Sequence, residues 1–437
     1  MTDHLNVYLD GILAGRLAQA SGGALSFSYD DLYLTRRVPT PLSLSMPLSG
    51  SRHSNRVVAA WLEGLLPDNL GVREEWGRRF EVSPRNPFAL LRHVGRDAAG
   101  AVQVLPADVD PPDAAQRTGK VRRLSHREVN DLLVGLTVRD AGWEVGAGAG
   151  RWSLAGVQNK VALHRLDDGD WGVPEDSTPT THILKPTRAE TRFADLHVNE
   201  FVCLRAAAHL GLRTAHVELV DFGGAKTLVS TRYDRGRGPD GAWLRLHQED
   251  LLQAMNYPPS KKYQSDGGPS VKNVAALFAT LALADRDVVR SSFFDALAFN
   301  VLVGGTDAHA KNYSLLLRGS RVALAPLYDV ASYAPYLSKG EAARSSMKMG
   351  RTWQVRDLTA EDWADVGISL GLDPDDALSR IERLRFGLPE AVAAAADEAP
   401  EPFLGDARRV AQAVARQGHL KARHLPWSNS APRLGDR

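Results

Sequence analysis

The stretch that decides the fold is FFDALAFNVLVGGTDAHAKNYSLLLRGSRVALAPLYDV, residues 293–330. It begins as an apolar helical run, passes through the polar cluster GGTDAHAKN and continues into a predicted hairpin around Gly319. The hairpin ends at LAPLYDV, which carries Asp329. The sequence therefore predicts a helix, a polar loop with Asp307 and Asn312, a hairpin, and then a further acidic residue.

The spacing within the polar loop indicates phosphoryl transfer. Asp307 and Asn312 are five residues apart, as are the catalytic aspartate and asparagine in the protein-kinase pattern H-R-D-x-x-x-x-N. In that pattern Asp307 accepts the proton of the substrate hydroxyl, while Asn312 and Asp329 hold the magnesium ions on the phosphates of ATP. Two oxygen ligands suit Mg²⁺, which takes its remaining ligands from water and nucleotide.

A structural alternative stays open for the same loop. Asp307 could cap a helix and Asn312 could hold a turn. His309 has no second His or Cys at metal-ligand spacing, so we expect it to orient the loop rather than bind a metal.

A second cluster, SLAGVQNKVAL (153–163), follows the glycines of GAGAGRWSLAG (146–156). Backbone N–H groups in such a turn can approach phosphates. The cluster contains neither GxxxxGK[ST] nor GxGxxG, so a flexible linker is the alternative.

A third cluster, THILKP, ends a predicted strand with Lys185, whose ammonium can reach the α- and β-phosphates. Glu200, on a predicted helix over 195–210, is a candidate partner. Of 53 basic residues only 11 are lysines, and Lys160, Lys185 and Lys311 lie in these clusters. Glycine loop, strand lysine, helix glutamate, Asp–Asn loop and final Asp follow the order of a kinase-like phosphotransferase.

Composition restricts the alternatives. The chain has 437 residues, 43% hydrophobic residues and a net charge of +1, which suits two to four globular domains and excludes a strongly basic DNA binder. The single cysteine, Cys203, excludes an intrachain disulfide framework and favours a reducing compartment. The N-terminus lacks the apolar run of a signal peptide, and no stretch of 18 apolar residues occurs, so we expect a cytoplasmic protein without membrane contact.

Several elements are predicted from local patterns. LNVYLDGILAGRL (5–17) predicts two strands joined by a turn at Asp10 and Gly11. VVAAWLEGLLPDN (57–69) predicts a helix that ends before Pro67, and Ser125 with Glu128 forms the capping box of another. From His247 onward the pattern is mostly helical, apart from the hairpin of 312–329.

Six blocks resemble the HipA toxin family of serine/threonine kinases: SLAGVQNKVAL, THILKP, NEFVCLRAAAHLGL, RLHQEDLLQAMNYPPSKKYQSDGGP, GGTDAHAKNYSLLL and LAPLYDVAS. PLSLSMPL, LLPDN and VGRDAAGAV resemble the N-terminal subdomain of that family, and SSMKMG resembles another of its blocks. The similarity covers roughly residues 5–350.

The resemblance implies an α+β fold of the kinase-like two-lobe type. Its N-terminal α/β lobe combines a β-rich subdomain with an ATP-binding part, and its C-terminal lobe is mostly α-helical. The implied domains are an N-terminal subdomain at 1–107, a linker with a helix and the glycine-rich entry at 108–150, the ATP-binding part at 151–246, and a helical lobe at 247–437 whose tail is polar from about 428.

The resemblance also implies the residues of an ATP- and Mg²⁺-dependent site. Asp307 would be the base, Asn312 and Asp329 the magnesium ligands, and Lys185 the phosphate-binding lysine. The remaining ATP contacts would be Ala155, Gly156, Val157, Gln158, Asn159, Lys160, Thr231, Arg232, Tyr233, His309, Ala310, Lys311 and Tyr328. Ser153 matches an autophosphorylated serine, and a phosphate there would repel ATP and switch the kinase off.

The implied partners are a helix-turn-helix antitoxin dimer, operator DNA reached through that complex, and a protein substrate. The substrate implied is an aminoacyl-tRNA synthetase, with the glutamyl enzyme as the first candidate. Its phosphorylation stalls translation and favours growth arrest and persistence.

Two alternatives to the kinase function remain. One is a non-catalytic co-repressor whose segment RIERLR (380–385) touches DNA phosphates. The other is a metal-dependent phosphohydrolase that uses Asp307, His309 and Asp329.

Overall fold

The structure, a computed structural model, describes residues 2–50, 52–109, 120–138, 158–187, 192–338 and 341–422. Within these ranges the helices are α1 (Asp31–Leu34), α2 (Asn55–Gly64), α3 (Leu70–Phe80), α4 (Pro87–Val94), α5 (His126–Val138), α6 (Leu196–His209), α7 (Leu251–Ala254), α8 (Val271–Ala279), α9 (Leu283–Val303), α10 (Ala360–Leu370), α11 (Pro374–Asp397) and α12 (Glu401–Ala422). The strands are β1 (Asp3–Leu9), β2 (Ile12–Gln19), β3 (Leu25–Tyr29), β4 (Arg52–His53), β5 (Val102–Pro106), β6 (Val121–Arg123), β7 (Val161–Arg165), β8 (Trp171–Pro174), β9 (His182–Pro186), β10 (Val217–Phe222), β11 (Ala225–Thr231), β12 (Arg235–Arg237), β13 (Trp243–Arg245), β14 (His247–Asp250), β15 (Ser314–Arg318), β16 (Arg321–Leu324), β17 (Arg344–Met349) and β18 (Thr352–Gln354).

Two units divide the chain, and each is built from several chain segments. The first unit comprises Met1–His197, Ala215–Lys262 and Tyr313–Pro326, and the second comprises Val198–Thr214, Tyr263–Asn312 and Leu327–Arg437. Most strands belong to the first unit and the longest helices to the second, so the predicted α+β class is confirmed. The four domain boundaries drawn from the sequence stay a prediction.

The first sheet of the first unit has the antiparallel order β4-β3-β2-β1-β5. Its β1–β2 hairpin turns at Asp10 and Gly11, whose φ angles are 49° and 76°. Both lie in the left-handed region that this two-residue turn requires, which is why an Asp-Gly pair forms it. The predicted hairpin is therefore confirmed, and α2 confirms the helix predicted before Pro67.

The second sheet of the first unit carries the predicted lysine. Its order is β10-β11-β9-β7-β8-β6, and β9 contains Lys185. Helix α5 packs against β9, β10 and β11. Its predicted capping box is confirmed, since the Ser125 N–H donates to the Glu128 carboxylate at 2.8 Å and the Glu128 N–H donates to the Ser125 hydroxyl at 3.3 Å.

The segment after His247 differs from the prediction at its start. His247–Asp250 forms strand β14, which pairs with the predicted hairpin to make the three-stranded sheet β14-β15-β16. The helix follows only at α7, where Asp250 is the N-cap and its capping box with Gln253 is complete. The helix is present, but the strand before it was not predicted, because cross-strand pairing with β15 decides the conformation of this short segment.

The second unit is organised around α9. This helix is buried along its C-terminal half, from Phe293 onward, and packs against α8, α10, α11 and α12. The β17–β18 hairpin lies on the same unit, with β17 against α8 and α10. Because α9 is held on several sides, the loop that leaves its C-terminus starts from a rigid point. Among the described residues, none of the helices combines the length and the apolar character that crossing a bilayer requires.

Candidate active site

The polar loop leaves α9 through a glycine cap. Gly304 has a φ of 76°, a left-handed conformation that strains other residues. The Gly305 N–H then donates to the carbonyl oxygen of Asn300 at 2.7 Å. One residue further, the Thr306 carbonyl accepts a 2.5 Å hydrogen bond from the Ser346 hydroxyl of β17. The chain is thus fixed immediately before Asp307.

The loop from Asp307 to Asn312 closes on itself. The Asp307 carbonyl accepts a 2.8 Å bond from the His309 N–H and a 2.7 Å bond from the side-chain amide of Asn312. The Asp307 side chain is 68% exposed. The Asp307 carboxylate is therefore exposed to solvent, while the Asn312 amide, five residues later, binds the backbone of Asp307. The alternative in which Asn312 holds a turn is therefore right for its side-chain nitrogen. The side-chain oxygen, Oδ1, is still an oxygen of the kind that Mg²⁺ takes as a ligand.

The middle of the loop is buried. His309, Ala310 and Lys311 are 4%, 0% and 6% exposed. The His309 ring packs edge-on against the ring of Tyr263, with centroids 5.0 Å apart, and the Tyr263 hydroxyl donates to Oδ1 of Asp307. The orienting role of His309 stays a prediction. Tyr263 was missed as a site residue, because nothing in its local sequence indicates what its hydroxyl touches.

Asp329 lies on a segment tied to the same loop. The Tyr328 hydroxyl donates a 2.9 Å bond to the carbonyl of Lys311, so the residues that precede Asp329 and Asn312 are joined directly. Asp329 itself has a φ of 54°. A left-handed aspartate is tolerated but uncommon, and such conformations concentrate at functional sites.

The segment around Asp329 is also held from α6. The buried Asn199 accepts a 2.8 Å bond from the Ser332 N–H and donates one of 2.8 Å to the Ser332 carbonyl. The Ser332 hydroxyl donates to the carbonyl of Val303 at 2.5 Å. Asn199 lies in NEFVCLRAAAHLGL but was not predicted to hold the site. The sequence signal that could have found it is an asparagine within a largely apolar helix, because a buried side-chain amide needs hydrogen-bond partners.

Two lysines meet in the sheet of the first unit. Val161 pairs with Leu184 across β7 and β9, and continuing that register by one residue places Lys160 opposite Lys185. Directly opposite side chains in an antiparallel pair lie on the same face. Both are nearly buried, at 6% and 5% exposure. A lysine side chain brings positive charge, so two lysines at opposite positions would favour a polyanionic ligand.

The other predicted nucleotide contacts divide into two groups. Asn159 donates through its amide to the Leu136 carbonyl at the end of α5, at 2.7 Å, and Gln158 is half-buried beside it. Ser153, Ala155, Gly156 and Val157 lie outside the described residues. Glu200 is buried on α6, and its pairing with Lys185 stays a prediction.

The predicted hinge, Thr231 to Tyr233, already uses some of its backbone. The Thr231 N–H donates to the His216 carbonyl and the Arg232 N–H donates to the Thr181 carbonyl, both at 2.9 Å. Adenine contacts at this segment would therefore involve carbonyl oxygens or Tyr233. The adenine role of these three residues stays a prediction.

A buried ionic network that the sequence did not indicate surrounds Arg232. Asp97 accepts from Arg235 at 2.9 Å and from Arg245 at 3.2 Å, and Asp234 accepts from Arg232 at 2.8 Å. Burial alone would raise the pKa of Asp97, but the guanidinium groups around it outweigh burial and lower that pKa. The network joins Asp97, which lies between α4 and β5, to Arg232, which directly follows β11 of the second sheet. All of these residues belong to the first unit.

No cluster of three or more His, Cys, Asp or Glu side chains able to hold a metal occurs among the described residues. The sequence predicts an amide oxygen and a carboxylate as metal donors instead, from Asn312 and Asp329, and that role stays a prediction. Such a pair is typical of a magnesium ion that takes much of its shell from a nucleotide.

Comparison with known proteins places this chain in a family. Residues 152–392 match the model of the HipA-like C-terminal domain, and residues 5–105 match that of the HipA N-terminal domain. The Sinorhizobium fredii protein Y4mE is 35% identical over 92% of this chain and 94% of its own length. The serine/threonine-protein kinase toxin HipA of Shewanella oneidensis is 29% identical, covering 89% of this chain and 88% of its own.

A solved structure extends the likeness to the whole fold. The complex of Shewanella oneidensis HipA with HipB and operator DNA matches with a TM-score of 0.82 and 26% identity, over 96% of this chain and 97% of that one. The predicted kinase-like two-lobe fold is thereby confirmed, and the enzyme class is that of the serine/threonine-protein kinases. The chain belongs to the HipA family.

Proposed function

We propose that this chain transfers the γ-phosphate of ATP to serine hydroxyls of a protein, with Asp307 as the base. The observation that carries the proposal is the closed loop in which Asn312 holds the Asp307 carbonyl while the Asp307 carboxylate stays exposed. In the reaction, the serine hydroxyl gives its proton to Asp307 as its oxygen attacks the γ-phosphorus. ADP leaves with the electron pair of the broken P–O bond.

Asn312 and Asp329 would hold Mg²⁺, and the 2.9 Å bond between Tyr328 and Lys311 supports their acting together. The ion supplies positive charge that offsets the charge developing on the phosphates. Lys185 and Lys160 would contact phosphate oxygens, and the β7–β9 register, continued by one residue, supports this by setting the two opposite each other.

The remaining ATP contacts are proposed from the family resemblance. They are Ala155, Gly156, Val157, Gln158, Asn159, Thr231, Arg232, Tyr233, His309, Ala310, Lys311 and Tyr328. The domain organisation proposed with them places the N-terminal subdomain at 1–107, a linker at 108–150, the ATP-binding part at 151–246 and the catalytic loop within 247–437. Family-model matches over 5–105 and 152–392 support the first and third of these segments.

The biological role proposed is that of a toxin whose target is an aminoacyl-tRNA synthetase, with the glutamyl enzyme as first candidate. Phosphorylation of a synthetase stalls translation and leads to growth arrest and persistence. The relative from Shewanella oneidensis is named a serine/threonine-protein kinase toxin, which supports the toxin role. Autophosphorylation at Ser153 would add about −1.5 to −2 charge beside the nucleotide and stop the reaction.

A second role is proposed beside the first. The matching solved structure contains HipB and operator DNA, which supports a helix-turn-helix antitoxin of the HipB type as partner and co-repression of an operator through that complex. The near-zero net charge of this chain, +1, favours a basic partner as the main DNA contact.

Phosphotransfer is tested with γ-labelled ATP and Mg²⁺, comparing wild type with Asp307→Asn. The substitution keeps the shape of the side chain and removes the base, so the variant should fold normally and label neither itself nor a synthetase. Asp266→Asn, an exposed residue of the second unit, is the matched control and should label as wild type does. Phosphoproteomics after induction of each variant identifies the target, and normal labelling of Ser153 by Asp307→Asn would refute the assignment of the base.

Co-repression is tested separately by measuring operator affinity of the antitoxin with and without this chain over a range of salt concentrations. If the chain only bridges antitoxin dimers, affinity rises while the slope against salt stays that of the antitoxin alone. A slope that steepens with this chain would mean that its own arginines contact phosphates, as the RIERLR alternative requires.

A further inference from the structure

Two distinctive sequence blocks have no part in the proposed chemistry. They are YPPSKKYQSDGG (257–268) and SSMKMG (345–350). The structure brings a residue from each against the loop that carries Asp307. The first block contributes Tyr263, and the second contributes Ser346 of β17.

Asp307 needs an external restraint on its side chain. Its carboxylate is 68% exposed, and the hydrogen bonds of the loop described above involve only its backbone carbonyl. His309 Nε2 lies 3.9 Å from Oδ1, which is too far for a hydrogen bond. An exposed aspartate turns readily about its side-chain torsions, and a misdirected base loses its alignment with the reacting hydroxyl. The hydrogen bond from the Tyr263 hydroxyl to Oδ1 is such a restraint. It leaves the second carboxylate oxygen, Oδ2, to accept the substrate proton.

Tyr263 is itself well supported. Its ring packs edge-on against the buried ring of His309, and its carbonyl accepts bonds from the N–H groups of Asp266 at 3.0 Å and Gly268 at 2.9 Å. The next residue, Gln264, accepts a 2.8 Å bond from the backbone N–H of Lys348 through its side chain. If the Asp307 carboxylate rotated away, Tyr263 could therefore keep its hydrogen bond only by breaking several of these contacts.

Both partners of this contact are attached to one strand. Ser346 of β17 holds Thr306, the neighbour of Asp307, while Lys348 of the same strand holds Gln264, the neighbour of Tyr263. The two attachment points are two residues apart along β17. A single rigid element thus sets the separation between hydroxyl and carboxylate, which is how a positioned catalytic group is usually supported.

We propose that Tyr263 is a positioning residue for Asp307: its hydroxyl fixes Oδ1 so that Oδ2 faces the hydroxyl to be phosphorylated. The inference rests on the proposed kinase function, since it assigns Tyr263 to that same site. Tyr263 takes no proton from the substrate and acts only through Asp307.

The kinetic test is Tyr263→Phe, which removes the hydroxyl and keeps the ring contact with His309. A hydrogen bond to a charged group that aligns the base should be visible as a fall in kcat of about 10-fold to 100-fold, with the KM for ATP nearly unchanged. Tyr257→Phe makes the same deletion in the same sequence block and should leave both constants at wild-type values. An unchanged kcat in Tyr263→Phe would overturn the inference. A raised kcat would overturn it too, because the hydroxyl would then be competing with the substrate.

A stability measurement keeps this test separate from the kinase assignment. Thermal unfolding of wild type, Tyr263→Phe, Asp307→Ala and the double variant gives the coupling between the two side chains without any substrate. We expect Tyr263→Phe to cost stability in the wild-type background and nothing more in the Asp307→Ala background. Additive effects would show that the contact does not exist in solution. If coupling is present but the wild-type chain transfers no phosphate, the kinase proposal fails and the positioning role fails with it, while the contact stands.

Discussion

The side-chain amide of Asn312 donates a 2.7 Å hydrogen bond to the backbone carbonyl of Asp307, five residues earlier. The residue proposed to hold magnesium therefore also shapes the loop of the proposed base. One side chain serves both purposes because an amide carries a donor and an acceptor on separate atoms. A carboxylate at this position would supply the metal-binding oxygen but lose the donor.

Substitutions at Asn312 should separate these purposes. Asn312→Asp keeps an oxygen for Mg²⁺ but sets it against the Asp307 carbonyl, so we expect the maximal rate to fall roughly 10-fold or more while the Mg²⁺ requirement changes little. Asn312→Ala loses both atoms and should need more Mg²⁺ as well. Initial rates over a Mg²⁺ titration distinguish the two, and a wild-type maximal rate in Asn312→Asp would show that the loop bond is unimportant.

Asp329 combines a charge with a left-handed backbone, at φ 54°. Asn tolerates this conformation about as well as Asp, whereas Ala pays about 1–2 kcal/mol for it. Both Asp329→Asn and Asp329→Ala should lose phosphotransfer by roughly 100-fold or more, because Asn offers the metal only a neutral oxygen in place of a carboxylate and Ala offers none. Only Asp329→Ala should also lower the free energy of unfolding, as measured by denaturant titration. Equal stability of the two variants would contradict the strained backbone.

The network around Asp97 should determine much of the stability of the first unit. Asp97 is buried and accepts hydrogen bonds from Arg235, Arg245 and both donors of Thr180. Asp97→Asn leaves buried guanidinium charge without its counter-ion, so we expect a loss of about 3–5 kcal/mol in the free energy of unfolding. Chemical denaturation followed by circular dichroism measures it.

An exposed ion pair provides the control for that experiment. Asp168 pairs with Arg123 at 2.6 Å, and both side chains are more than half exposed. Solvent screens such a pair, so Asp168→Asn should leave the unfolding midpoint unchanged. A comparable loss in both variants would mean that burial is not what makes the Asp97 network matter.

Glu249 should make stability depend on pH. Its side chain accepts from the Ser43 hydroxyl at 2.5 Å and from the Leu44 N–H at 2.8 Å, and burial raises its pKa from 4.5 to about 8. Between pH 4.5 and about 8, the folded state therefore keeps a proton on Glu249 that the unfolded state has released. Its contribution to stability is complete below pH 4.5 and is lost as the pH rises through 8, at a slope of up to about 1.4 kcal/mol per pH unit.

Glu249→Gln isolates that contribution, since glutamine is neutral, keeps an acceptor oxygen for the Leu44 N–H and sets an N–H donor against the Ser43 hydroxyl, whose oxygen can accept it. Thermal unfolding of both proteins from pH 5 to pH 9 should show wild type losing stability relative to the variant as pH rises. Parallel curves would mean that Glu249 does not carry the predicted proton.

Much of the fold was predictable because it depends on local patterns. The Asp10–Gly11 turn, the capping box of Ser125 and the hairpin around Gly319 each follow from residues that are neighbours in sequence. Strands β14, β17 and β18 lie after His247 and were not predicted, for the complementary reason: His247–Asp250, for example, is a strand because β15 lies beside it. The conformation of a short segment depends on the strand that pairs with it, and the local sequence does not show which strand that is.

The sequence by itself determined the family, the α+β class and the loop in which Asp307 and Asn312 are five residues apart. Motif identity and spacing are properties of the chain alone, so they can be read from it directly. Only the tertiary structure decided which side chains hold those residues in place. Tyr263 reaches Asp307 across 44 residues and Asn199 reaches Ser332 across 133, through the packing of helices and strands whose arrangement no local pattern contains.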